Sequence, residues 1–328
     1  MKLNFIVRSA IILALAGPVF QPFQGVSRLL AQDSTKSAAQ PEQKNAWSIG
    51  IYTGPSPFEL SSPAGIQNPV LTADMVSDLK VNIVAHPFMA VTDSMYYLFF
   101  TAKNDLEGEV SGIGMAESRD GLHWRYRQMV IKEPFVLAYP FVFKWQDDYY
   151  LLPEAHKEPF LRLYKATHFP DKWSMVKDLL SGDHFISATP VRYHDMWWMY
   201  ICRLGNETLR LFFASDLLGP WSEHPSSPVV PKDLDTARPA GRPLVIDGKL
   251  YRLGQDCDPT YGNQVHAFQI TEISPSAYKE KMIEAPLAKA SGRGWNAEAM
   301  HHIDVHQIGE NKWIAAVDAL GEIPVKSH

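Results

Sequence analysis

A unit of about fifty residues recurs along this chain, and that period restricts the fold before any single residue is considered. Each copy opens on an X-Pro step, continues as a hydrophobic strand, turns through a short polar stretch and returns as an aromatic strand. The copies read AHPFMAVTDSMYYLFFTA from Ala85, AYPFVFKWQDDYYLLPEA from Ala138 and SATPVRYHDMWWMYICRL from Ser187. A looser copy, GRPLVIDGKLYRLGQD, starts at Gly241, and a degenerate one, MHHIDVHQIGENKWIAAVD, at Met300. The prolines that anchor the first four copies, Pro87, Pro140, Pro190 and Pro243, are separated by 53, 50 and 53 residues. A second phase runs through Trp124, Trp173 and Trp221, at steps of 49 and 48. Several short strands per unit at this period predict an all-β chain, a five-bladed β-propeller.

The last copy stops after its second strand. The segment WSIGIYTGPSP from Trp47 matches the third-strand pattern SGIGMAESRDG from Ser111, with Gly50 aligned on Gly114. Residues 46–60 are therefore expected to complete the last blade, so that the N-terminal strand closes the ring. Closure removes a blade edge whose backbone donors and acceptors would otherwise stand open.

One such ring absorbs residues 46–328 as a single domain. Residues 1–31 read as a signal peptide: Lys2 and Arg8 precede a short apolar run, and Leu29-Leu30-Ala31 could precede cleavage. Residues 32–45 read as a linker. The expected location is periplasmic or secreted, and retention as an uncleaved anchor is the alternative. The apolar run is too short for a membrane span. A net charge of −5 without a basic cluster argues against nucleic acid as a partner, and a monomer is expected. The two cysteines, Cys202 and Cys257, lie near the ends of second strands in successive blades, as a disulfide or as two free thiols.

Inner strands of a propeller converge on a central channel, and the residues beside each inner-strand proline crowd that axis. These are His86, Tyr139, Ser187 with Thr189, Arg238 with Arg242, and His301-His302. The set is polar and bulky, as suits a binding funnel, although the same groups could simply hydrogen-bond across the axis to fill it. Among the acids, Glu154 breaks an apolar run beside a proline, Asp256 and Asp258 lie in the polar stretch GQDCDPTYGN, and Asp74, Asp78 and Asp304 lie elsewhere. Glycosidic cleavage needs two carboxyl groups, one to protonate the leaving oxygen and one to activate water or attack carbon. Glu154 is the candidate acid, Asp256 the second carboxylate and His86 a candidate base. Tyr139, Arg238, Arg242, Asp258, Tyr261 and His301 are the candidate substrate-binding residues. On a strand, His302, Asp304 and His306 would share a face, which makes His302 a candidate ligand of a single structural ion in the channel; no other cofactor is expected.

Six stretches carry a family resemblance: NPVLTAD from Asn68, EPFVLAYPFVF from Glu133, YYLLPEA, LLGPWSEHP, ARPAGR from Ala237 and QDCDPTYGNQV from Gln255. The blades resemble the propellers of arabinanase, β-xylosidase and levanase-like glycoside hydrolases. More closely, from about Trp47 to Asp318 the chain is similar to bacterial relatives of the N-terminal propeller of plant glucosamine inositolphosphorylceramide transferase. The resemblance implies an exported, carbohydrate-active, glycoside hydrolase-like propeller with a glycan or glycoconjugate partner, or a carbohydrate-binding one that has lost its catalytic acids. In the hydrolase clan, acids on inner strands serve as base, pKa modulator and proton donor. Here His86 stands where that pattern has Asp, and FISATP carries Ser187 and no acid. The plant protein's transfer chemistry resembles that of a separate glycosyltransferase domain.

Overall fold

The computed structural model describes residues 43–106, 110–155 and 157–324. The expected signal peptide and residues 32–42 of the expected linker lie outside the described residues. The described chain is all-β, with five antiparallel sheets in sequence order.

Blade 1 comprises Ile83–Val91, Tyr96–Asn104, Val110–Ser118 and Arg125–Ile131. Blade 2 comprises Leu137–Trp145, Asp148–Ala155, Phe160–His168 and Lys172–Ser181. Blade 3 comprises Phe185–Tyr193, Met196–Arg203, Leu209–Ala214 and Ser222–Glu223. In blade 4 the first strand is broken into Arg238–Pro239 and Leu244–Ile246, followed by Lys249–Asp256, Gln264–Ser274 and Ala277–Met282. The break has a local cause, since ARPAGRP holds two prolines that cannot donate to a ladder. Between them Gly241 takes φ +145°, and a Cβ there would lie 1.9 Å from the Ile303 carbonyl oxygen of the neighbouring blade.

Blade 5 is built from both ends of the sequence. Ala299–Gly309 and Lys312–Pro324 are joined by Gln43–Ser56 and Glu59–Ser61. The N-terminal strand runs antiparallel to Lys312–Pro324 in unbroken register from Gln43↔Pro324 to Gly54↔Trp313. It buries Ile49 and Ile51 against Leu71, Val84 and Ile314.

Alternation along the strands sends one face of each blade into the next, so the core is a set of layers between blades. The Trp phase has a specific origin. Trp124, Trp173 and Trp221 each donate their indole N–H to a carbonyl of the preceding turn, Gly121, Pro170 and Leu217, at 2.9, 2.9 and 3.1 Å. The repeated Trp therefore locks the turn that leads into the last strand.

First strands carry a bulge at their axial end, between Ala85 and Phe88, Ala138 and Phe141, Ile186 and Thr189, and Ala299 and His302. In the first three blades the bulged residue, His86, Tyr139 or Ser187, has φ near +50°. A non-glycine residue there costs roughly 1–2 kcal/mol, so each must be held. By this criterion Ser187, not Thr189, is the counterpart of His86 and Tyr139. Pro190 lies beyond the bulge, paired with Met199, so the proline spacing locates the strand but misplaces its register by two residues.

Candidate functional site

The bulges are held by their neighbours. A backbone N–H thrown out of its ladder needs an acceptor when buried, and the second strand of the preceding blade supplies it. Tyr139 N–H donates to Thr101 Oγ1 at 3.0 Å, Ser187 N–H to Glu154 Oε2 at 2.9 Å and His86 N–H to Asp318 Oδ2 at 2.8 Å. Residues from second strands thus meet residues from first strands around one mouth of the axis.

That mouth is a cavity of about 250 Å³, lined by Trp47, His86, Thr101, Lys103, Glu154, Arg238, Tyr261 and His301 among others. Arg238 reaches it from blade 4, with its Nε on Ser187 Oγ (3.2 Å), Nη1 on Asn206 Oδ1 (2.8 Å) and Nη2 3.8 Å from Glu154 Oε2. The Tyr261 ring lies 5.2 Å from the Arg238 guanidinium and edge-on to His301. Its loop is pinned to blade 5 by Met300 N–H donating to Gly262 O. Trp47, brought in by the closing N-terminal strand, stacks on His301 at 4.2 Å between centroids, and His301 stacks in turn on His86 at 4.8 Å.

Charge in this layer is tightly arranged. Asp318 is fully buried, and its Oδ1 lies 2.6 Å from His301 Nδ1. Burial, then the neighbouring His301, holds the His86 pKa well below the usual imidazole range, and burial followed by Arg238 does the same to His301. Both rings are therefore neutral at pH 7, with the His301 Nδ1–H donated to Asp318. Burial raises the Asp318 carboxyl against the pull of His302 and His86.

Of the residues expected from sequence, Glu154, His86, Arg238, Tyr261 and His301 line this cavity together. The others do not, and each has a physical reason. Asp256 is not beside Glu154 in the lining, because its carboxylate organises its own loop, accepting from Asp258 N–H, Asn263 Nδ2 and Gln264 Nε2. Asp258 is exposed outside the lining. Tyr139 is buried behind it, its hydroxyl 3.0 Å from Thr189 Oγ1. Arg242 plugs the axis elsewhere: it reaches Asp304 Oδ1 at 2.8 Å and the Val142 carbonyl at 2.8 Å, between Phe88 and Phe141.

The expected His302, Asp304 and His306 face does not assemble as a metal centre. His302 Nε2 lies 2.9 Å from the Pro87 carbonyl, and burial lowers its pKa to about 4. Asp304 is taken by Arg242, His306 and Met89 N–H. Among the described residues, His86, His301 and Asp318 are the ones whose ligand atoms lie within 4.8 Å of one another. Cys202 and Cys257 are free thiols. Sequence reasoning missed Thr101, Lys103, Trp47 and Asp318 as site residues. Only Asp318 carried a signal, an acid inside the apolar run WIAAVDALG.

Known proteins agree with this architecture. Residues 39–320 match the family model described as glucosamine inositolphosphorylceramide transferase 1, N-terminal. The chain is 35% identical over 341 residues to glucosamine inositolphosphorylceramide transferase 1 of Oryza sativa subsp. japonica, covering 96% of this chain and 45% of that protein. Against the Arabidopsis thaliana protein of the same name it is 32% identical, covering 92% and 42%. The chain thus spans less than half the length of these relatives. Among solved structures, a glycosyl hydrolase from Bacteroides ovatus superposes with a TM-score of 0.57 at 12% identity, over 81% of this chain and 95% of that one. A family 117 glycoside hydrolase from Zobellia galactanivorans gives 0.50 at 16% identity, over 72% and 84%. At these identities the likeness is one of fold. A family match over most of the chain, on blades that close as described, places this protein in the family of glucosamine inositolphosphorylceramide transferase 1 N-terminal domains.

Proposed function

We propose that the axial cavity binds one sugar unit of a glycan or glycoconjugate, as a recognition site rather than a two-carboxylate hydrolase centre. The observation that carries this reading is the cavity lining. Trp47 and Tyr261 offer ring surfaces beside Arg238, Lys103, Glu154 and two neutral histidines. Sugars present apolar C–H faces and hydroxyls that both donate and accept, and such a mixed lining answers both. At about 30 Å³ per water, the cavity volume equals roughly eight waters, on the scale of one hexose. The curated relatives are named glucosamine inositolphosphorylceramide transferases, so amino sugars and inositol-linked glycoconjugates head the panel to be tried.

A hydrolase reading needs a second carboxyl group across the scissile bond from Glu154. Glu154 is the one acid among the described lining residues, and it already accepts from Ser187 N–H. The N-terminal Lys2–Arg8 stretch and the apolar run after it support export, which cell fractionation with and without residues 1–31 would test.

The deciding experiment is calorimetry against a glycan panel, run beside a released-sugar assay. Saturable binding without turnover, weakened at least tenfold by R238Q, is the expected result. No binding across the panel would remove this reading. Turnover abolished by E154Q at unchanged Tm would replace it with hydrolysis.

A further inference from the structure

We propose that His86, His301 and Asp318 form a divalent transition-metal site of the zinc class at the base of the axial cavity. Three strands bring these residues together: the first strand of blade 1 and the first two strands of blade 5. Their ligand atoms lie within 4.8 Å of one another. Around an ion held at ~2.0–2.1 Å, ligand atoms stand about 3.3 Å apart. On binding, therefore, His301 carries its proton on Nε2, its Nδ1 and Asp318 Oδ1, now 2.6 Å apart, spread slightly, and the remaining ligand atoms draw in by an ångström or so.

A second observation points the same way. His86 Nε2 is buried without a hydrogen-bond partner among the described residues, and such an orphan ordinarily costs about 1–3 kcal/mol. Coordination removes that cost. The ring is already oriented for it, because His86 Nδ1 lies 3.1 Å from Thr101 Oγ1. Hydrogen bonding of the second ring nitrogen is the usual way a protein aims a ligating imidazole. His301 is fixed as firmly, between the Trp47 ring on one side and His86 on the other.

The donor set decides the class of ion. Two imidazoles and one carboxylate suit zinc and its first-row neighbours, whereas calcium and magnesium prefer oxygen throughout. Since His86 and His301 line the cavity, the remaining coordination positions open into it, where water or a ligand oxygen completes the shell. The site does not depend on the sugar reading: zinc binding and glycan binding can fail separately.

The test uses the untagged full chain, stripped with EDTA and titrated calorimetrically with ZnCl2. One saturable equivalent is expected, with no competition from CaCl2, and CoCl2 should develop the visible absorption of a four- or five-coordinate ion. H86Q and H301Q should each weaken zinc at least 100-fold. H168Q, which alters an exposed His–Asp pair 2.8 Å apart, should leave it within twofold. No saturable zinc in the wild type, undiminished zinc in folded H86Q, or loss of zinc in H168Q would each overturn the proposal. Should both cavity variants fail to fold, a cobalt spectrum identical to that of the aqueous ion overturns it on the wild type alone.

Discussion

Glu154 accepts the backbone N–H of Ser187 at 2.9 Å, across the boundary between blades 2 and 3. Thr101 and Asp318 do the same for Tyr139 and His86 at the two preceding boundaries. The acid that sequence singles out as catalytic is therefore one member of a repeated stitch. E154A should orphan the Ser187 N–H and destabilise the fold by about 1–3 kcal/mol. E154Q, which retains a carbonyl oxygen, should fall within about 1 kcal/mol of wild type. Thermal melting of the two variants checks this, and equal melting of E154A and wild type would deny the stitch.

Gly241 is required by space. A Cβ there would lie 1.9 Å from the Ile303 carbonyl oxygen, on backbone that cannot swing away, and φ is +145°. G241A should cost roughly 1–3 kcal/mol or more, as overpacking does. G248A is the control, because Gly248 also has positive φ but open space around its Cβ direction. Chemical denaturation should show G241A well below G248A.

Asp304 predicts an acid-sensitive axis. Burial alone would raise its carboxyl, but Arg242 and His306 outweigh burial and hold it below the usual carboxylate range. A depressed folded-state pKa means that its contribution is complete above the unfolded value near 3.9. The contribution is lost as pH falls below that value toward the folded one. D304N should destabilise by roughly 3 kcal/mol at neutral pH by taking the buried carboxylate away from half-buried Arg242. The gap between D304N and wild type should narrow as pH falls below about 4. Urea unfolding between about pH 5 and pH 2 measures it, and a gap that widened below about pH 4 would contradict the assignment.

Ring closure depends on the N-terminal strand. Removing residues 1–61 would expose the Lys312–Pro324 edge and delete Ile49 and Ile51 from the core. The truncated chain should lose cooperative unfolding in calorimetry. A single sharp transition near the wild-type Tm would show that four blades and half of a fifth suffice. Trp47 leaves with that strand, so the cavity loses a wall whenever closure fails.

Much of the fold was legible because a propeller repeats. Fifty-residue periodicity, strand alternation and the Trp124, Trp173 and Trp221 phase all follow from each blade solving the same packing problem. The candidate site was only half legible. His86, Arg238 and His301 were found because polar residues near inner-strand ends must face the axis, and Glu154 because it breaks an apolar run beside a proline. Arg242 satisfies the inner-strand rule and Asp256 ends a second strand as Glu154 nearly does, yet one plugs the axis and the other closes its own loop, and local sequence does not distinguish these outcomes.

The chain's own residues determined the number of blades, the strand that closes the ring and the end of each strand that meets the axis. Register at the bulges, and with it the meeting of His86, His301 and Asp318, was decided only in three dimensions. These three residues lie as far as 232 positions apart. A bulge adds one residue to one strand and turns every side chain beyond it by half a period. No periodicity read along the chain carries that shift, because the partner that stabilises each bulge belongs to another blade.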